Sequence, residues 1–359
     1  MKVLHFFVQN VDIMGISTSE QSSRTEVNYQ KRFFDIISKR NKKNHNIHHE
    51  LMDQLGIKRG AAYKRMNGDT ALTLQEVIKL ADHFNVSLDA IFKGDKYISF
   101  FHPFVHKEKT MDVFLDQFQK FIRPLRRGAL QEKIQLSYLA NELPVFYYFS
   151  HKYIFNFLMS VWGHLHWDDH QLEITTNPVY EKRASEFKDE ILNNYYGHEV
   201  TEIWNSNMLN NLYQQVIFSI TIRAFKEASY IELLINDIAN LIQHLRRVSV
   251  EGVKYIKGTK IEGSELKIYL NDFGNYLNVM QYESSAFKST FIGYDYPQFI
   301  VSNNAQFFDF SSDWIGRIKK RSALISSEGY QFRELFFMKM DNDFDYFKSR
   351  VAKLVEVYY

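Results

Sequence analysis

The stretch Asn46–Gly68, NIHHELMDQLGIKRGAAYKRMNG, decides the fold of the N-terminal part of the chain. It divides into two short helices joined at Leu55-Gly56-Ile57. Leu51 and Leu55 are four residues apart and share one helix face, and Asn46 stands where it can cap that helix. Gly56 follows where the chain must turn sharply, because glycine enters the left-handed conformation at no steric cost. Ile57 then plugs the angle between the helices. In the second helix Ala61, Ala62 and Met66 are small or apolar and are expected inside, while Arg59, Gly60, Tyr63 and Lys64 are expected outside. Lys58 puts a cation at the positive end of that helix, which costs roughly 0.3–1 kcal/mol unless an anion sits nearby. Gly60 inside the helix costs about 1 kcal/mol against alanine. A docked phosphate backbone offsets both, giving the lysine its anion and letting backbone approach backbone. The alternative is a solvated basic helix with a tolerated glycine.

Outward from this stretch the pattern continues. Downstream, Thr73-Leu74-Gln75-Glu76 reads as a capping box, followed by Val77, Leu80, Ala81 and Phe84 at helical spacing. Ser87 is placed to cap a short helix, Leu88 to Phe92. Upstream, Phe33, Phe34, Ile36 and Ile37 make the apolar face of a helix from about Val27 to Lys39. Five short helices are therefore expected over 27–93. Between Arg24 and Met66 there are 11 Lys/Arg against 4 Asp/Glu, a local net of +7 in a chain whose total is +2. A basic module on an acidic remainder fits docking to phosphate by that module alone.

These residues resemble the Cro and lambda-repressor-like (Xre-type) helix-turn-helix domains. The likeness rests on LGIKRGAAYKRMNG and on LTLQEVIKLADHFNVSLDAIF after it, and covers about a fifth of the chain, Val27 to Phe92. It implies that the helix Lys58 to Met66 enters the major groove of double-stranded DNA. Lys58, Arg59, Gly60, Tyr63 and Lys64 then take the DNA-facing positions, with Asn67 near a phosphate. Arg59 and Lys64 are the expected base or backbone contacts, since arginine grips guanine with two hydrogen bonds. Lys58 and Asn67 position phosphates, and Gly60 and Tyr63 set close approach. The chain departs from the family at Met52, where alanine is usual, at Lys58, where serine or threonine is, and at Ala62, where valine or isoleucine is. Arg65 stands where an apolar residue is common.

The rest of the 359 residues reads as a tail, a connector and a body. Residues 1–26 have the composition of a disordered tail, with no leader-like apolar run. Cysteine is absent, which excludes disulfides and thiolate metal sites and fits the cytoplasm. The aromatic run Val145 to Trp167 is broken by His151, Lys152, Asn156 and His164 and is expected inside a globule, not a membrane. Residues 94–132 read as a linker leading into a helix from Glu108 to Leu125. Met111, Leu115, Phe118, Ile122 and Leu125 there form a heptad seam, widened by Phe114 and Phe121, that can pair two subunits as a homodimer, with packing on its own domain as the alternative.

The body, 133–359, is expected to be an α/β (α+β) domain with an antiparallel sheet. Ile134 to Leu139 and Val145 to Phe149 read as strands, and Ile154 to Trp162 as a helix. Further helices are expected at Tyr180 to Tyr195, Val200 to Phe225 and Tyr230 to Arg247, the last opened by a capping box at Ser229. Leu266, Ile268 and Leu270 then alternate with polar residues. The chain turns at Phe273-Gly274-Asn275 and returns along Tyr276 to Tyr282, with strands at Phe291 to Tyr294 and Gln298 to Val301. Helices around Ser312 to Arg321 and Tyr330 to Val357 close the chain.

Catalytic signals are near misses. His164, His166, Asp168 and His170 in GHLHWDDHQLE resemble a metallohydrolase motif with one residue too many, so a polar loop is the expected reading and a weak zinc site the alternative. Asp272-Phe273-Gly274 has no kinase partner motifs and reads as a turn. No P-loop, GxSxG or dinucleotide fingerprint occurs, and no cofactor or metal is expected. Tyr147, Tyr148 and Tyr153 can line an aromatic pocket for a small-molecule effector, with core packing as the alternative. The reading that follows is a transcriptional regulator that is not an enzyme. A metal-dependent hydrolase using the histidines of 164–170 and a DNA-tethered protein-binding module are the alternatives.

Overall fold

The computed structural model describes residues 28–40, 47–84, 86, 88, 91, 98–103, 109–122, 134–167, 172–178, 182, 195–256, 259–274, 276–284, 287–295 and 297–359. The expected tail 1–26, the Asn46 and Ser87 caps, most of the helix at 180–195, and Asp168 and His170 lie outside them. The chain divides between Tyr97 and Ile98 into two compact units, each with its own core.

The N-terminal unit is helical throughout. α1 (Tyr29–Arg40), α2 (Ile47–Leu55), α3 (Arg59–Asn67) and α4 (Leu74–His83) follow one another closely. Of the fifth expected helix only Leu88 and Ile91 are described, and both are helical. The apolar spacing works as expected: Phe33, Phe34 and Ile37 of α1 meet Leu51 of α2, Ala62 of α3 and Leu80 and Ala81 of α4 in one core. Burying a side chain such as Leu51 contributes roughly 1.5–3 kcal/mol. Gly56 makes its turn at φ +63, and Gly68 ends α3 at φ +84, its N–H donating to Arg65 O. Thr73 and Glu76 form the full capping box at the start of α4.

In the C-terminal unit α5 (Met111–Ile122) precedes a mixed sheet. The strands are β1 (Gln135–Leu139), β2 (Glu199–Trp204), β3 (Val253–Ile256), β4 (Thr259–Leu270), β5 (Val279–Glu283), β6 (Lys288–Asp295) and β7 (Gln298–Ser302), in the spatial order β3-β4-β2-β1-β5-β6-β7. β8 (Ala323–Leu324) adds a short pair to β4. The antiparallel pairing expected from the period-two stretches is present in β1-β5-β6-β7 and β3-β4. The pairs β1-β2 and β2-β4 are parallel, so the sheet is mixed.

Helices complete the unit: α6 (Val145–Tyr148), α7 (Lys152–His166), α8 (Asn210–Thr221), α9 (Ala228–Glu251), α10 (Ala305–Lys320) and α11 (Tyr330–Tyr358). Alternate strand residues separate two apolar layers. Leu136, Val200, Trp204, Leu266, Ile268 and Tyr282 join the large core with α7, α8, α9 and α11. Leu139, Ile203 and Val279 point the other way and pack on Ile315 and Ile318 of α10.

Four expectations are corrected. Val145–Tyr148 is a buried helical turn opened by Pro144, not a strand; a short apolar run has no period by which to tell the two apart. The expected helix 200–225 is strand β2, then α8. β-branched Val200, Thr201 and Ile203 favour the strand, but the buried Glu202 spoils its apolar alternation. α9 begins ahead of Ser229, with Glu227 as its N-cap and no side-chain cap, so the Ser229 capping box does not form. After β4 the chain does not return as a hairpin. β5 pairs with β1 and β6, with β2 and β1 standing between it and β4, because alternation marks a strand's face and not its neighbour.

Two stretches read as connector are part of this unit. Phe101 exchanges backbone hydrogen bonds with Val301 on β7, both 2.9 Å. The seam residues Phe114, Leu115 and Phe118 of α5 are buried in the large core.

Candidate nucleic-acid interface

All six residues expected to face DNA are exposed: Lys58, Arg59, Gly60, Tyr63, Lys64 and Asn67. At 100° per residue, Arg59, Gly60, Tyr63, Lys64 and Asn67 fall within an arc of about 140° on α3. Ala61, Ala62, Arg65 and Met66 occupy the opposite arc, with Ala62 fully buried. No acidic residue stands in the first turn. Lys58 is the N-cap in extended conformation, and its carbonyl accepts from the N–H groups of Ala61 (2.9 Å) and Ala62 (3.1 Å). No side chain caps this end, so the leading N–H groups are available to an anion. A Cβ added at Gly60 would meet nothing within 4 Å in the free protein. Any need for glycine there therefore comes from a partner.

The exposed face is braced from behind. The Tyr63 ring stacks on His48 of α2 with centroids 3.9 Å apart, and the Arg59 guanidinium lies 5.7 Å from the Tyr63 centroid. Burial, then the charges of Arg59 and His49, hold the His48 pKa below its ordinary value, which favours the neutral ring in this stack. Arg65, the polar departure on the inner side, is ion-paired to Glu76 at 2.9 Å and donates from Nε at 3.0 Å. It ties α3 to the cap of α4 in place of an apolar contact. Burial works against the charge on Glu76, but hydrogen bonds from Thr73 and Arg65 outweigh it and leave the carboxyl below its usual range. Gln30 of α1 donates from Nε2 to Arg65 O (2.6 Å) and Thr70 O (2.8 Å), and its Oε1 accepts from Leu72 N (2.9 Å). His83 of α4 and Glu50 of α2 pair at 2.9 Å.

Gln30 and His48 escaped the sequence reading as positioning residues. No local signal marks Gln30, whose partners are 35 or more residues away. His48, a residue type as suited to a solvated surface or a phosphate contact, meets Tyr63 only because the tight turn at Gly56 brings α2 and α3 together.

The other candidates come apart. His164 and His166 both lie on α7, two residues apart and so on opposite sides of it. His166 sits 3.7 Å from Asp295, its pKa lowered by burial against the pull of that carboxylate. Among the described residues no group of three or more His, Cys, Asp or Glu can hold a metal ion. Tyr147 and Tyr148 are buried in the core instead of lining a pocket, and Tyr153 packs edge-on to Tyr230.

Tyr147 belongs to a feature no motif announced. The fully buried Glu202 of β2 accepts from Tyr147 Oη (3.0 Å), Tyr195 Oη (2.7 Å) and Trp204 Nε1 (2.6 Å). Lys254 of β3, also fully buried, donates to Tyr195 O (3.2 Å) and His198 O (2.7 Å). Burial pushes the Glu202 carboxyl up in pKa and pulls the Lys254 ammonium down to about 7, in spite of their mutual attraction.

Residues 36–91 match the model of a helix-turn-helix family, of the Cro/C1, Xre-like type. No curated protein and no solved structure matches the chain. The N-terminal unit thus carries a helix-turn-helix of the DNA-binding kind. No helix among the described residues is long and apolar enough to cross a membrane.

Proposed function

We propose that the chain is a sequence-specific transcriptional regulator of the cytoplasm that acts by binding and not by catalysis. The head reads the major groove with α3, and the body joins two copies and senses a small molecule. The carrying observation is the outward face of α3, where Arg59, Gly60, Tyr63, Lys64 and Asn67 stand together, exposed, with no carboxylate among them. Arg59 and Lys64 make base or backbone contacts. Lys58, Asn67 and the open N-terminus of α3 position phosphates.

One head of this kind reads a few base pairs, so a two-fold site calls for two chains. The α5 seam is used inside its own unit. The surface that supports pairing is α11, where Phe332, Leu335 and Met338 are exposed within an arc of about 120°.

The test is binding to a duplex from the chain's own upstream region, read by fluorescence anisotropy across a salt series, with stoichiometry from sedimentation. Two chains per duplex are expected, with affinity falling steeply as salt rises. Arg59→Ala and Lys64→Ala should each cost about 1–3 kcal/mol of binding. Equal, weak binding by the three proteins to every duplex would sink the assignment of α3, and one chain per duplex would sink the dimer.

A further inference from the structure

The carboxyl ends of the parallel strands β1, β2 and β4 open into a cleft of about 450 Å3. Crevices form at such ends because the connecting loops diverge there, and this volume suits a small ligand. The wall is amide and carboxylate: Asn141 and Glu142 after β1, Asn205 and Asn207 after β2, Asn211 in the first turn of α8, and Asp272 after β4.

The wall is held in place from behind. Asn278 Oδ1 accepts from the backbone N–H groups of Asn141 (2.9 Å) and Glu142 (3.0 Å). The Asp272 carboxylate accepts from Ser206 N (2.7 Å) and Oγ (2.8 Å). Asn205 Nδ2 donates to the carbonyls of Ala140 (3.1 Å) and Asn141 (2.7 Å). In these bonds Asn141 uses its backbone and not its side-chain amide. Asn211 donates to one oxygen of Glu142 at 3.1 Å, leaving the second oxygen as an acceptor.

The lining narrows the ligand. It contains no lysine or arginine, and its two carboxylates repel anions, which disfavours phosphates and acids. Gly274 apart, every lining residue is an amide or a carboxylate, so an apolar ligand would strip water from polar groups without replacing it. Amides and carboxylates present paired polar atoms, donors beside acceptors, that can meet adjacent hydroxyls. Phe273 stands in sequence between the lining residues Asp272 and Gly274 and is 95% exposed, a bare aromatic ring next to the lining. A pyranose or cyclic polyol has both complements, a rim of hydroxyls and a C–H face.

We infer that this cleft binds a neutral polyhydroxylated ligand, a sugar or cyclic polyol, with Asn141, Glu142, Asn211 and Asp272 meeting hydroxyls and Phe273 stacking on the C–H face. This names the ligand class for the sensing role proposed above, and rests on that role only for its consequence on DNA.

The test uses the full chain without DNA, by calorimetry and saturation-transfer NMR, against D-glucose, N-acetyl-D-glucosamine and myo-inositol, with glucose 6-phosphate and spermidine as contrasts. At least one neutral compound should bind while the two contrasts do not. Asn141→Ala and Phe273→Ala should each weaken that binding by about tenfold, as loss of one polar or stacking contact implies, at unchanged melting temperature. Silence from all three neutral compounds, a preference for spermidine, or binding unaltered in both variants overturns the inference. Sugar binding that leaves DNA affinity unchanged upholds the cleft and removes the sensing role.

Discussion

The two units handle charge in opposite ways. In the head, Lys58 at the N-cap of α3 and Arg59 and Lys64 on its outward face stand in solvent, and the ion pair Arg65–Glu76 only braces that face from behind. In the body, Glu202 and Lys254 lie in the core, enclosed by Tyr147, Tyr195 and Trp204. A charge on a surface is there for what it will meet. A charge inside costs several kcal/mol of desolvation and is kept only where its partners are complete. The contrast separates a recognition device from a device that fixes the geometry of a core.

The largest break in that contrast comes from removing one buried partner. Glu202→Ala leaves two tyrosine hydroxyls and an indole N–H without their acceptor and removes the charge that attracts Lys254, and is expected to destabilise the body by about 3–5 kcal/mol. Trp162, Trp167, Trp204 and Trp314 all lie in the body, so tryptophan fluorescence follows its unfolding alone. The body's transition should fall steeply. A shift no larger than an ordinary surface substitution produces would show that the pair is not structural.

The same contrast explains what could be read in the sequence. In the head the informative residues are close together: Leu51, Gly56, Ala62 and the box Thr73–Glu76 each act on neighbours a turn or a loop away. Local periodicity therefore placed the helices and the outward face. Gln30 was invisible because its partners lie 35 to 42 residues away, on α3 and in the loop after it. In the body, β2 was hidden because a strand with a buried glutamate at its centre does not alternate apolar with polar. The parallel pairs β1-β2 and β2-β4 join segments 64 and 66 residues apart in register, Leu136 with Val200 and Val200 with Leu266, and no local signal carries such a pairing. The cleft beyond these strands was equally hidden, since its residues come from three loops.

Gly60 sharpens the comparison within the head. An added methyl meets nothing in the free protein, so Gly60→Ala should stabilise the head by about 1 kcal/mol through helix propensity. If backbone meets phosphate there, the same change weakens DNA binding. Stability and affinity should thus move in opposite directions, read by amide hydrogen exchange across α3 and by anisotropy. Affinity rising together with stability would place the DNA backbone elsewhere.

The smallest effect is one of sign, and it sets one glutamate against another. Glu76 has its folded-state pKa below the ordinary 4.5 because hydrogen bonds from Thr73 and Arg65 exceed the burial that opposes them. Its contribution to the head is therefore present above the unfolded pKa and lost as pH falls through the folded one. Glu202 is displaced upward by burial. Its contribution is present below the unfolded pKa and lost as pH rises through the folded one. Lys254, lowered to about 7 from 10.5, adds stability only as pH climbs between those values, outside the acid range. As pH falls below about 4.5, acid should thus open α3 and α4 to hydrogen exchange, and Glu76→Gln should flatten that dependence while leaving the body's fluorescence transition alone. Glu202→Gln should act on the body's acid profile and not on the head's. If Glu76→Gln left the head's acid sensitivity intact, the brace behind α3 would not be the carboxylate, and the rigidity of the recognition face would have to come from Gln30 and the His48–Tyr63 stack.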